Sequence, residues 1–302
     1  MGFPKLEVLL VVNGIVSVSL SILNKSLAVG LPFPCAVVAI QNACATVCTM
    51  ILFRVNPSLA RPFKVEHLYL SIPITCIFVF ALWISLYSLQ FVNLALYSVT
   101  SYFRPICSCA IEFITEGKRI SSPRFFGLSL IIMGALIAAV DIDSVELFGF
   151  ALAGLNTITV SLLSVSENMM MRKISNEQTA VGMNMYRLAT SIPILLLIAY
   201  LTEHDFSLAD ADCQTKNMLI ASGLVCLFAG ISIYSLQKVT TSTTILVANC
   251  GYKFITTIIS IAVHGNIPTP GVAAGYLIST LGFLTYVLSS IRNAQMVHAK
   301  SN

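Results

Sequence analysis

Apolar residues in this chain come in long unbroken runs rather than in narrow stripes. Stretches such as "LEVLLVVNGIVSVSLSILNKSLAV" (6–29) and "FGLSLIIMGALIAAV" (126–140) recur from end to end. Runs of about 18 or more apolar residues mark helices that cross a bilayer, because the hydrocarbon core is about 30 Å thick. Cutting at charge clusters, Pro and Gly predicts ten such spans: 7–29, 35–53, 68–88, 93–115, 125–140, 147–168, 180–202, 217–237, 241–263 and 271–291. The first run exceeds the 7–15 residues of a signal-peptide core and reads as a span. The expected fold class is an all-α polytopic membrane protein.

Composition agrees with the pattern. Of 302 residues, 57% are hydrophobic and only 10% charged, against about 25% charged in a soluble domain. The placement of charge then orients the spans. With both termini in the cytosol, that side receives Lys5, Arg54, Arg61, Lys64, Lys118, Arg119, Arg124, Arg172, Lys173, Lys238, Arg292 and Lys300, and the other side Lys216 alone. The far loops hold Asp141, Asp143, Glu146, Glu203, Asp205, Asp210 and Asp212 instead. Cytosolic loops should carry the Lys/Arg excess, so ten spans with both ends inside is the expected topology. The nine cysteines form no CxxC pair and read as small buried hydrophobes.

An internal repeat is also visible. Arg104 in span four is followed 149 residues later by Lys253 in span nine, and Gly127 and Gly134 of span five by Gly275 and Gly282 of span ten at an offset of 148. Five helices is an odd number, so the second half would enter the membrane in the opposite sense. The expectation is two inverted five-helix repeats, 1–144 and 145–302, in one transmembrane domain.

Four of the seventeen Lys and Arg fall within spans: Lys25, Arg104, Arg187 and Lys253. Lys25 and Arg187 are near enough to span ends to snorkel. Arg104 and Lys253 are not, and a charge at a helix centre costs about 2.5–3.5 kcal/mol on insertion scales. The carboxylates Glu112 and Glu167 sit towards span ends. The excess cations therefore point to a cavity that receives an anion. Helical spacing puts Tyr97, Ser101, Arg104, Ser108 and Glu112 on one face, and Asn249, Lys253, Thr256 or Thr257, Ser260 and His264 on another. Polar positions also mark span one (Asn13, Ser17, Ser21, Asn24), span two (Gln41, Asn42) and span seven (Asn184, Arg187, Ser191). The plainer alternative is that these hydroxyls and amides only join helices. Arginine suits bidentate phosphate recognition and lysine acts as a point charge. Tyr186 and Tyr252 adjoin the cations and could stack on a base or fill space between helices. Candidate solute-binding residues are Lys253, Arg104, Arg187, Tyr186, Tyr252, Asn249, Tyr97, Ser101, Asn24 and Lys25.

Several segments resemble the nucleotide-sugar transporters of the drug/metabolite transporter superfamily. They are "ILNKS" (22–26), "SLQFVNLALYSVTSYFRP" (88–105) and "TTSTTILVANCGYKF" (240–254). Against the GDP-mannose branch, Asn249, Cys250, Gly251, Tyr252 and Lys253 share only the lysine with its ninth-helix motif. "MYRLATSIPILL" (185–196) shares only Tyr186 with its guanine-reading motif. The tract 116–152 resembles the UDP-sugar branch about equally well. The resemblance implies an antiporter that brings a nucleotide sugar from the cytosol into the Golgi, with the endoplasmic reticulum as second choice, and returns a nucleoside monophosphate. A homodimer stays open; no cofactor, metal or nucleic-acid partner is expected.

The nearest alternative is a phosphate or sugar-phosphate exchanger of the triose-phosphate type. That group resembles this chain in the Asn-Cys before the ninth-helix lysine but places an arginine beside it, where this chain has Phe254. An amine or amino-acid exporter on the same fold would need a midplane carboxylate. An enzyme is not expected, since neither HExxH nor GxSxG occurs and His67, His204, His264 and His298 lie at span ends or in loops.

Overall fold

A computed structural model describes residues 6–301 except 32, 60, 62–63, 89–90, 92–93, 141–146, 175, 204–211 and 265–268. The side chains at 25, 29, 94–96, 98, 140, 257–258, 260–264 and 293–301 are also outside the described set. Lys25, Thr257, Ser260, His264, His298 and Lys300 thus carry no side-chain description. Lys5, Asp141, Asp143, Glu146, His204, Asp205 and Asp210 lie outside the described residues.

Among the described residues the chain is all-helical. The long helices are α1 (Leu6–Gly30), α2 (Pro34–Val55), α3 (Val65–Ser88), α6 (Ser122–Val140), α7 (Leu147–Ile174), α8 (Ala180–Thr202), α9 (Cys213–Val239) and α11 (Pro270–Ser301). Segments of these eight are long and apolar enough to cross a bilayer. The other helices, α4 (Leu94–Ser101), α5 (Arg104–Glu116) and α10 (Ser242–His264), carry the cluster described below.

Helix ends follow local chemistry. Thr179 caps α8 by accepting from the Gly182 N–H at 3.0 Å. Gly117 ends α5 at φ 65°, a left-handed position that glycine adopts without a Cβ penalty. Two carboxylates serve helix starts at long range. Glu203 accepts from the Cys35 and Ala36 N–H groups of α2, at 2.7 and 3.0 Å. Glu112 accepts from the Thr243 N–H and hydroxyl of α10, at 3.3 and 2.9 Å. Each places negative charge where the orphan N–H groups and helix dipole favour it.

The single span expected over 93–115 is interrupted. Pro105 has no N–H to offer the Ser101 carbonyl, so the ladder cannot run through. Tyr102 and Phe103 instead donate three residues back, to Val99 and Thr100, at 3.1 and 3.2 Å. Successive turns of α7 add hydroxyl donors on both sides of the break: Thr157 donates to the Thr100 carbonyl at 3.0 Å and Ser161 to that of Arg104 at 2.9 Å.

The chain divides into two compact units, each taking segments from both sides of residue 144. The first comprises 1–10, 84–166 and 239–302. Within it α6 and α11 approach backbone to backbone at paired glycines. A Cβ on Gly127 would come within 2.8 Å of the Gly282 carbonyl, and one on Gly282 within 2.6 Å of the Gly127 carbonyl. Gly134 and Gly275 face each other in the same reciprocal way. Neither backbone can yield, so Gly282→Val should cost stability at the upper end of the overpacking range of about 1–3 kcal/mol. Thermal unfolding in detergent measures this, and an unshifted midpoint would show that the helices are not so closely apposed.

The second unit comprises 11–83 and 167–238. There α2 packs along α8 and interhelical polar bonds recur. Asn13 donates to Ser232 at 2.9 Å, Gln41 to Asn24 and Ser222 at 2.8 and 2.9 Å, and Asn42 to Ser191 at 2.8 Å. These are side chains joining helices in an apolar medium. At its edge Lys64 and Glu177 pair at 2.6 Å. Their hydrogen bond holds the Glu177 carboxyl below its ordinary pKa and lifts that of Lys64.

Candidate functional site

The interruption of the fourth span decides where its polar side chains go. Ser101 ends α4 and Arg104 begins α5, so the two side chains leave the chain on either side of the break. Tyr97, one turn earlier, packs against the fully buried Ala153 of α7. Its hydroxyl is a hub. Asn156 donates to it at 3.0 Å and Arg104 at 3.2 Å. Both donate to it, and the Ser85 hydroxyl shares a hydrogen bond with it at 2.5 Å.

Lys253 reaches the same place from the middle of α10. Its ammonium donates to the buried Ser101 hydroxyl and stands 5.8 Å from the centroid of the Tyr97 ring. The Arg104 guanidinium is also 5.8 Å from that centroid. Either distance is within cation–π range. Two cationic side chains thus stand about one tyrosine ring, Arg104 bonded to its hydroxyl and Lys253 to Ser101. They repel one another, and a multivalent anion arriving between them would be attracted by both.

The sequence-derived candidates divide accordingly. Tyr97, Ser101, Arg104 and Lys253 are brought together, with Asn249 half-buried one turn before Lys253 on α10. The Tyr252 hydroxyl donates to the Leu10 carbonyl at 2.7 Å. The Tyr186 hydroxyl accepts from the Lys64 N–H at 3.2 Å, and its ring stands edge-on to His67. Asn24 accepts from Gln41, and the Lys25 side chain is outside the described set.

Arg187 belongs to the second unit and has a carboxylate partner. Its guanidinium donates to Glu167 at 3.0 Å and to Asn184 at 3.3 Å, with the rings of Phe78 and Tyr234 5.1 and 5.0 Å from its central carbon. Tyr234 and Gln237 also donate to Glu167, at 3.2 and 2.8 Å. Sequence reading set Glu167 at the end of its span. The helix in fact continues to Ile174, so Glu167 lies two turns inside it, where Arg187 can reach. Sequence reading missed Asn156 and Ser85 altogether. An asparagine in the middle of the apolar stretch 147–163 was the available signal for the first, and nothing in the pattern distinguished the second.

The model of the Triose-phosphate Transporter family matches residues 5–287, and the chain belongs to that family. It is therefore a multi-pass membrane protein and a small-solute transporter or exchanger of the drug/metabolite transporter superfamily. Family and fold point to transport rather than enzymatic catalysis. The matched family is that of the exchangers held as the nearest alternative from sequence. A crystal structure of another protein superposes with a TM-score of 0.71, covering 94% of this chain and 97% of the other at 12% identity. That likeness concerns the fold. Comparison with curated protein sequences gives no match.

Proposed function

We propose that this transporter is an antiporter for organic phosphates whose solute phosphate binds at Arg104 and Lys253. The observation that carries this reading is the convergence of both cations on Tyr97. Among the described contacts are those of the cations with the Tyr97 ring, its hydroxyl and Ser101. A phosphate would offer charge-assisted hydrogen bonds, which are shorter and about twice as strong as neutral ones. Loading would then add strong charge-assisted partners to both cations. The empty carrier, with two like charges side by side in a low-dielectric interior, would reorient slowly, and exchange would become obligatory.

The solute we favour is a nucleotide sugar taken up from the cytosol against a nucleoside monophosphate, following the resemblance of segments 22–26, 88–105 and 240–254. The same reading puts the protein in the Golgi membrane, or else the endoplasmic reticulum, with both termini cytosolic. Exchange of inorganic phosphate for a sugar phosphate is the second reading, favoured by the family match.

Alternating access would come from ten spans in two inverted repeats, residues 1–144 and 145–302. Two observations support that. At an offset of 148, Gly127 corresponds to Gly275 and Gly134 to Gly282, and the contacts pair Gly127 with Gly282 and Gly134 with Gly275. This is the reciprocal pattern of a two-fold interface. Asn42 hydrogen-bonds Ser191, 149 positions on, as expected for equivalent residues meeting near such an axis.

Counterflow in proteoliposomes tests the function. Vesicles are preloaded with unlabelled GMP, UMP or inorganic phosphate and offered the same labelled compound outside. Accumulation with one nucleoside monophosphate is expected and would name the base. Accumulation with phosphate alone would establish the second reading, and no accumulation with any of them would overturn the site assignment for these solutes.

A further inference from the structure

We propose that an apolar groove beside the interrupted helix binds one acyl chain of a bilayer phospholipid, and that this chain braces the break between α4 and α5. The groove is a cavity of about 570 Å³ within the first compact unit. Its walls include Val99 before the break, Phe103 at it, Leu136 on α6, and Phe150, Gly154 and Ile158 on α7. A volume of this size falls within the ordinary range for small-molecule sites.

The chemistry of the wall selects hydrocarbon. Thr100 and Thr157 also line the groove, but their hydroxyls are already committed to backbone. Thr157 donates to the Thr100 carbonyl at 3.0 Å and Thr100 to the Tyr97 carbonyl at 2.9 Å. What they turn to the cavity is therefore methyl. Water needs two or more polar partners to stay in such a space. A sugar or a headgroup would lose its hydrogen bonds there.

Position then selects the source of the hydrocarbon. α6 and α7 are each long and apolar enough to cross a bilayer. Leu136, Phe150 and Ile158, which line the groove, are 53, 47 and 55% exposed, so its mouth opens on the surface that meets lipid tails. The protein leaves the space unfilled: a Cβ on Gly154 would meet nothing within 4 Å. An empty slot forfeits dispersion contacts on every lining atom. An acyl chain entering sideways from the bilayer would restore them without leaving its own phase.

Because Val99 precedes the break and Cys107 follows it, and both line the groove, the same chain would touch both sides of the discontinuity that carries Ser101 and Arg104. Any effect of the occupant on transport rests on the proposed phosphate site. Its binding does not.

The test is photolabelling of the full-length protein in liposomes containing phosphatidylcholine with a diazirine midway along one chain, mapped by peptide mass spectrometry. Labelling should concentrate in 103–107 and 150–158, several-fold above the lipid-exposed residues 220–228 of α9. Gly154→Leu should abolish the enrichment and Gly154→Ala should keep most of it. Ala139→Leu, which narrows the groove from α6, should reproduce the loss and guards against a folding defect in the first variant. Even labelling of all lipid-facing helices would overturn the proposal, as would enrichment that survives both leucine variants. Displacement of the label by cholesterol would assign the groove to a sterol instead. Crosslinks between two protein chains at these residues would assign it to a second copy. Failure of counterflow leaves this readout intact, so the two proposals fail separately.

Discussion

Lys253→Ala should abolish counterflow while leaving a folded, monodisperse protein. The lysine sits mid-helix on α10, donates to Ser101 and shares the Tyr97 ring with Arg104. Losing one member of a buried hydrogen-bonded charge pair costs about 2–5 kcal/mol in binding, roughly 30-fold to several-thousandfold in apparent affinity. Removing a charge from the helix centre relieves about 2.5–3.5 kcal/mol of insertion cost, so thermal stability should hold or rise. Arg104→Ala should behave alike. Arg104→Lys should retain partial transport, because the charge remains and the bidentate geometry is lost. Tyr97→Phe keeps the ring and removes the hub hydroxyl, so its defect should be milder than that of either cation. Wild-type counterflow in the Lys253 variant, at matched protein in the bilayer, would sink the phosphate-site reading.

Glu167→Leu should be the most destabilising substitution in the second unit. It strips Arg187 of its carboxylate and leaves Tyr234 and Gln237 without their acceptor. Breaking a buried pair from one side costs about 3–5 kcal/mol, whereas replacing both partners with apolar groups of similar volume is often neutral. The double variant Glu167→Leu with Arg187→Met should therefore recover most of the lost thermal stability. Its transport then reads the role of Arg187. Retained counterflow assigns the pair to holding α7 and α8 together, and lost counterflow in a stable protein assigns Arg187 to the solute. No recovery of stability would show that the pair is not the reason Glu167 matters.

The sequence determined more of this protein than its fold class. Apolar runs too long for a soluble core require membrane helices, and every predicted span except the fourth corresponds to one helix. The cations set within apolar runs were equally legible, because a charge surrounded by apolar residues is conspicuous in sequence. Part of the expected face of span four is also seen, since Tyr97 and Ser101 lie one turn apart on α4 and Arg104 follows just past the break.

What only the tertiary structure decided is which faces meet. Periodicity orders residues around one helix but says nothing about the rotation of the next, so neither the convergence of Lys253 on Tyr97 nor the contribution of Ser85 was readable. The same limit hid the pairing of Arg187 with Glu167, compounded by a helix end set a turn and a half too early in the polar segment after Ser166. Glu112 and Glu203 show it again. As sequence they were stray carboxylates, and in the fold each neutralises the start of a helix more than a hundred residues away. In a bilayer hydrophobicity no longer distinguishes a packed face from a lipid face. Close packing at glycines and the satisfaction of buried polar groups make that choice, and both depend on partners distant in the chain.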